Sequence, residues 1–88
     1  MEETTSPELG IKIKMLFFGP IAENIGQREI EVALVIGSTA RDLIQRFRLT
    51  HLLDTSLRIA INGEIGADID EPLKDTSEVA FLPPVSGG

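Results

Sequence analysis

Ile11-Lys12-Ile13-Lys14-Met15-Leu16-Phe17-Phe18 has the alternation of a half-buried strand, and it is the strongest strand signal in the chain. Successive strand residues point to opposite faces. Ile11, Ile13, Met15 and Phe17 therefore share one face, and Lys12, Lys14, Leu16 and Phe18 share the other. The first set is wholly apolar and belongs in a core. The second starts charged and turns apolar toward its C-terminal end, which is the first sign of a surface meant for a partner.

Working outward, Gly19-Pro20 stops this strand, and Ile21 to Gly26 reads as a short helical turn closed by Gly26. A second strand follows over Arg28 to Val35, with Ile30, Val32 and Leu34 inward, and Gly37 breaks it. The compact connection makes these two strands an antiparallel hairpin. Ser38 or Thr39 caps a helix, and Thr39-x-x-Asp42 approximates a capping box. Ala40, Leu43, Ile44 and Phe47 form its apolar stripe, while Arg41, Asp42, Gln45, Arg46 and Arg48 point outward. The helix is expected to fray between Leu49 and His51, with Leu52 to Ser56 as a connector. Arg58 to Asn62 is a short strand ended by Gly63, with Ile59 and Ile61 inward. Turns at Asp68 to Pro72 and Lys74 to Ser77 lead to a last strand, Glu78 to Leu82.

The order is β-β-α-β-β, an α+β arrangement with one main helix across one face of a small sheet. Residues 11–82 make one domain, 1–10 a loose disordered tail, and 83–88 an extended, flexible C-terminal tail. Val79 and Phe81 join the core, so Ala80 and Leu82 face the uncovered side. If the first and last strands are neighbours, Leu16, Phe18 and Leu82 meet in one apolar patch. Three large apolar groups in one place exceed ordinary scatter and mark an interface.

Composition removes most other functions. Eighty-eight residues, 42% of them hydrophobic, suit a single domain near the lower size limit for an unstapled core. There is no cysteine, hence no disulfide, thiolate nucleophile or Cys-containing metal site, and His51 is the single histidine. The net charge of −6, with three lysines and five arginines dispersed along the chain, argues against nucleic acid and for an electropositive protein partner. No apolar run approaches a membrane span, and the acidic start lacks the regions of a signal peptide, so a cytoplasmic location is expected.

Reactivity is then expected at the C-terminus. Pro83-Pro84-Val85-Ser86-Gly87-Gly88 follows the last strand directly. The two prolines end that strand and stiffen the base of the tail. At ~3.1 Å per residue, six residues reach on the order of 15 to 20 Å from the sheet edge. Two glycines without Cβ atoms fit a narrow channel and leave the terminal carbonyl open to attack. A carboxylate is a poor electrophile, but its adenylate is not, and a sulfur nucleophile converts that adenylate to a thiocarboxylate. A diglycine arises by chance in roughly half a percent of chains, so by itself it is only suggestive.

The strand Ile13 to Phe18, the helix from Ser38, Ala60-Ile61-Asn62-Gly63 and the ending Asp75-x-x-Glu78-Val79-Ala80-Phe81-Leu82-Pro83-Pro84-Val85-Ser86-Gly87-Gly88 together resemble the small, ubiquitin-like subunits of molybdopterin synthase. The similarity covers about residues 11 to 88, and the double-proline ending is its specific part. Sulfur carriers of thiamine synthesis share the fold and the diglycine but typically lack that double proline. The resemblance implies a β-grasp fold and a non-catalytic, sulfur-donating subunit with no bound cofactor. It implies that an ATP-using adenylyltransferase of the ubiquitin-activating type adenylates Gly88, which then becomes a C-terminal thioglycine. The tail would enter the large catalytic subunit, in a heterotetramer, and donate sulfur to a cyclic pyranopterin precursor to build the dithiolene. On this reading Gly88 carries the sulfur and Gly87 gives access. Leu16, Phe18, Ala80, Leu82, Pro83, Pro84, Val85 and Ser86 meet the partner. The segment from His51 to Leu57 is short for the family and takes no role.

Other constellations point elsewhere weakly. Asp68, Asp70 and Glu71 lack the spacing of a calcium loop and read as a solvated turn. His51 near Asp54 reads as incidental, and Lys74 has Asp70 and Asp75 as local ion-pair partners. No metal site is expected. A ubiquitin-like protein modifier and a sulfur carrier for another pathway are the alternative functions.

Overall fold

The computed structural model describes residues 10–50 and 57–83. The elements are β1 (Gly10–Phe17), α1 (Gly19–Ile25), β2 (Glu29–Val35), α2 (Ala40–Arg46), β3 (Arg58–Ile61), β4 (Glu64–Ile65) and β5 (Glu78–Leu82). They build a mixed five-stranded sheet in the order β2-β1-β5-β3-β4. β1 runs parallel to β5, and the other neighbours are antiparallel. This is the β-grasp arrangement, and the expected β1–β2 hairpin and β1–β5 adjacency are both present.

One face of the sheet carries the core. Ile11, Ile13, Met15 and Phe17 of β1, Val32 and Leu34 of β2, Ile59 of β3, and Val79 and Phe81 of β5 are buried there. Phe17 and Phe81 are direct register partners and stack with ring centroids 5.4 Å apart. Ala40, Leu43 and Ile44 of α2 pack onto this face, with Ile21 of α1, Leu49 and Leu73 closing its margins. Each Val, Leu, Ile, Met or Phe side chain among them contributes about 1.5–3 kcal/mol when fully buried. Ile30, Phe47 and Ile61, expected inward, are only partly buried but pack against the same cluster.

Three local expectations need correction. The helical turn is a full short helix starting at Gly19, because Pro20 sits in its first turn, where a missing N–H costs nothing. Gly26 closes it at φ 86°. α2 begins as expected, with Thr39 and Asp42 forming a reciprocal capping box. It ends at Arg46 rather than near Leu49. Arg48 turns left-handed at φ 58°, its N–H bonds Gln45, and the Leu49 N–H reaches back to the Ile44 carbonyl. That is a Schellman stop with arginine in the place glycine usually takes. Finally, the chain after Ile61 does not simply end a strand. Asn62 (φ 52°) and Gly63 (φ 87°) form a two-residue turn of the type I′ kind, pairing Ile61 with Glu64 and Ala60 with Ile65. The result is an additional edge strand.

The long connection before β5 is tied to the start of α2. Ser38 carbonyl accepts from Leu73 N–H at 2.7 Å, Ile69 carbonyl accepts from Arg41 N–H at 3.0 Å, and Thr39 bridges to Pro72.

Candidate functional site at the open sheet face

The face opposite the helices is divided into two halves. Strand register places Glu29, Leu16, Ala80, Ala60 and Ile65 in one row across all five strands. One step toward the C-terminal ends of β1 and β5 lie Phe18, Leu82 and Arg58. Extended backbone at Phe18 (φ −129°, ψ 151°) continues the alternation of β1 and keeps its ring on this face. In the other direction stand Lys12, Lys14, Glu31 and Glu78, so the charged-to-apolar change along β1 extends across its neighbours.

The apolar half contains every described residue expected to meet a partner. Leu16, Ala80 and Leu82 are half-buried, and Phe18 is 45% exposed. Pro83 is half-buried at the root of the tail. It packs on Gly19 so closely that a Cβ there would lie 3.3 Å from the proline Cγ. The parallel pairing of β1 and β5 causes this, because both strands finish at the same edge. Pro84, Val85, Ser86, Gly87 and Gly88 lie outside the described residues.

Sequence reasoning missed two members of this face. Ala60, 5% exposed, forms its floor beside Ala80, and Ile65, 57% exposed, extends it to the edge of the sheet. The signal was available in Asn62-Gly63, whose chemistry favours a tight hairpin that would carry Ile65 back beside Ala60. Asn62 also fastens that hairpin to β5. Its backbone N–H donates to the Glu78 carbonyl at 2.8 Å, and its Oδ1 accepts from Glu78 N–H at 2.9 Å. Its Nδ2 approaches the buried Ser77 Oγ at 3.5 Å.

Around the corner from Phe18, a shallow depression of about 410 Å³ opens between Leu16, Gly19, Ala22, Glu23 and Arg28. A more polar one of about 250 Å³ lies near Asn62, Glu64, Asp68 and Lys74. Among the described residues no group of three His, Cys, Asp or Glu side chains is arranged to hold a metal ion. No described helix is long and apolar enough to cross a membrane.

The acidic turn is occupied by internal bonding. Asp68 accepts from the Asp70 N–H at 2.9 Å, and Asp70 receives a two-pronged contact from Arg41 at 2.6 and 3.1 Å. That hydrogen bond from Arg41, aided by its charge and opposed by desolvation, holds the Asp70 carboxyl below its ordinary value. Among the described residues, Lys74 forms an ion pair with neither of its expected partners. Asp70 pairs with Arg41, and the Asp75 carboxylate accepts from the Lys12 N–H at 2.8 Å. His51 and Asp54 lie outside the described residues.

Comparison with known proteins agrees with this geometry. The ThiS family matches residues 15–88. The molybdopterin synthase sulfur carrier subunit of Escherichia coli (strain K12) is 40% identical over 83 residues, covering 86% of this chain and 99% of that protein. SAMP1 of Haloferax volcanii superposes with a TM-score of 0.71 at 25% identity, over 88% of this chain and 99% of that one. A Helicobacter pylori structure, a complex of subunits 1 and 2 of molybdopterin-converting factor, contains a chain that matches with a TM-score of 0.65 at 26% identity, over 89% of this chain and all of that one. By sequence and fold together, this chain belongs to the ThiS family, alongside the sulfur carrier subunits of molybdopterin synthase.

Proposed function

We propose that this chain is the sulfur carrier subunit of a molybdopterin synthase, with its Gly88 carboxylate as the carrying group. The observation that carries the reading is the apolar half of the open face, which stops at Pro83, where the sequence runs on into Pro84-Val85-Ser86-Gly87-Gly88. A surface at the root of a reactive tail lets a partner bind the domain and receive the tail in one event. The tail is then delivered at a high effective concentration.

The chemistry follows from the carboxylate. In the activating enzyme, a Gly88 carboxylate oxygen attacks the α-phosphorus of ATP, and pyrophosphate leaves. Sulfur at the sulfide level of oxidation then attacks the acyl carbon and expels AMP, giving a thiocarboxylate without net redox change. In the large synthase subunit, the thiocarboxylate sulfur bonds to an electrophilic carbon of the pterin precursor and displaces an oxygen substituent from it. Water then cleaves the acyl–sulfur bond, which leaves the sulfur on the pterin and restores the Gly88 carboxylate without net redox change. The domain itself binds and aims, and the acid–base groups come from its partners.

Intact-mass measurement after incubation with ATP, the activating enzyme and a sulfur donor tests the first half. An oxygen-to-sulfur mass change on Gly88 is expected, whereas higher-mass conjugates without sulfur identify a protein modifier instead. Reconstitution with the large subunit and the pterin precursor tests the second half and separates this pathway from other sulfur-requiring ones. Deleting Gly88, or extending the chain beyond it, is expected to abolish transfer while leaving the circular dichroism spectrum unchanged. Normal turnover by the deletion variant refutes the mechanism.

A further inference from the structure

The apolar half of the open face contains two charged side chains, and they differ in kind. Glu29 lies at the β2 edge, where its carboxylate is met by Lys14 Nζ at 3.4 Å. Arg58 is exposed at the start of β3, directly opposite Leu82 in the register and one residue from the tail root at Pro83. Paired side chains on neighbouring antiparallel strands have Cβ atoms roughly 5 Å apart, so the guanidinium stem borders the docking patch. Among the described residues the ion pairs are Lys14–Glu29 and Arg41–Asp70, and neither uses Arg58. In a chain of net charge −6, a cation in this place runs against the overall field.

Apolar contact is non-directional, so Leu16, Phe18, Ile65 and Leu82 favour association without fixing its orientation. A partner can slide or rotate on such a surface unless a polar group sets the register. Arginine suits that task because its planar fork pairs with a carboxylate in a defined geometry. We infer that Arg58 is the orienting contact of the docking face, pairing with an acidic side chain that the large synthase subunit presents beside the entrance taken by the tail. Resting on the docking reading above, this adds the chemistry of the partner's rim. Arg58 is a positioning residue and touches no reacting atom.

The test measures binding of the full chain to the cognate large subunit, at several salt concentrations, for Arg58→Lys, Arg58→Gln and Arg58→Glu. Arg58→Glu should weaken binding at least about tenfold at low salt, chiefly through the association rate, with Arg58→Gln intermediate. Arg58→Lys keeps the charge but loses the fork, so its affinity should fall between those of the parent and Arg58→Gln while its salt dependence stays that of the parent. Arg58→Gln should show a shallower salt dependence than the parent chain. Lys12→Glu, at the charged end of the same face, should bind within about twofold of the parent. Parent-like binding and salt dependence in Arg58→Glu overturn the inference. So does equal weakening by Gln and Glu with an unaltered salt slope, since that is lost packing rather than lost charge. Leu82→Asp is the separating control. If it abolishes binding while Arg58→Glu does not, only the orienting role fails; if neither matters, the docking face itself is wrong.

Discussion

Replacing Asn62 with alanine removes two things at once, and the structure allows each to be assigned a magnitude. At φ 52° the residue occupies left-handed space, which asparagine tolerates and alanine does so at a cost of about 1 kcal/mol or slightly more. Its Oδ1 accepts a hydrogen bond from Glu78 N–H at 2.9 Å, worth about 0.5–1.5 kcal/mol in net terms. The longer Nδ2 contact to Ser77 Oγ, at 3.5 Å, adds little. Asn62→Ala should therefore cost about 2 kcal/mol, which lowers the melting temperature of so small a domain by roughly ten degrees. Asn62→Gly keeps the turn geometry and loses only the side-chain bond, so it should cost about 1 kcal/mol. Urea denaturation with an unchanged m-value gives the two energies. Amide exchange at Glu78 supplies an independent readout, because protection should fall in both variants and persist in Asn62→Asp, which keeps the acceptor. If glycine proves as damaging as alanine, the backbone term is absent. If Glu78 remains protected in both, the clasp between the hairpin and β5 does not exist.

The same hairpin carries Ile65, so Ile65→Asp should weaken binding to the large subunit ten- to a hundredfold, consistent with burying one large apolar side chain at about 1.5–3 kcal/mol. Its thermal stability should scarcely move, since the side chain is 57% exposed, and unchanged affinity in titration calorimetry would remove it from the docking face. Arg48→Gly relieves a left-handed arginine at φ 58° and should stabilise the domain by about 0.5–1 kcal/mol in chemical denaturation; a destabilised variant contradicts the Schellman stop. Asp70→Asn should destabilise the domain at neutral pH, because the carboxyl titrates lower when folded than when unfolded. That stabilisation is present above the ordinary carboxylate value and is lost as pH falls through the lowered one. The difference from the parent chain should therefore narrow below about pH 4, and a constant gap across that range rejects the role of the carboxylate charge.

What was legible in the chain depended on repetition. The alternation over Ile11–Phe18 assigned eight side chains to two faces, and the structure keeps that division intact through the last apolar member, Phe18. The stripe Ala40, Leu43, Ile44 placed a helix on the inner face in the same way, and Thr39 with Asp42 marked its start because a reciprocal cap needs only local chemistry. The open face could then be deduced, since a single main helix leaves one side of the sheet bare. Where the reading fell short, single residues adopt backbone conformations that their types do not announce. Arg48, Asn62 and Thr76 all have positive φ, and only Asn62, followed by Gly63, carried a local warning. Thr76 is held there by the sheet, through its N–H on the Lys12 carbonyl at 2.8 Å and the neighbouring Asp75 carboxylate on the Lys12 N–H. A β-branched residue in that region is an exception that long-range bonds impose, and no window of sequence around it contains the cause.

The candidate site divides along the same line. Leu16, Phe18, Ala80 and Leu82 follow from strand alternation, so the pattern of residues is enough to name them. Ile65 depends on a two-residue turn, and its place beside Ala60 is settled only when that turn pairs Glu64 with Ile61. Arg58 depends on register, because nothing near it in sequence says that it will stand opposite Leu82. The apolar members are thus set by local periodicity, and the member inferred to orient the partner is set by the pairing of β3 with β5. Shifting that pairing by one residue would turn the β3 side chains to the opposite face and move Arg58 away from Leu82. Asn62 resists such a slip, since it fixes the far end of the β3–β5 ladder at Glu78, and the two residues act on one geometry from opposite ends of a strand. A clasp mutation should accordingly reduce the salt dependence of partner binding as well as stability, an effect that a purely local turn defect would not produce.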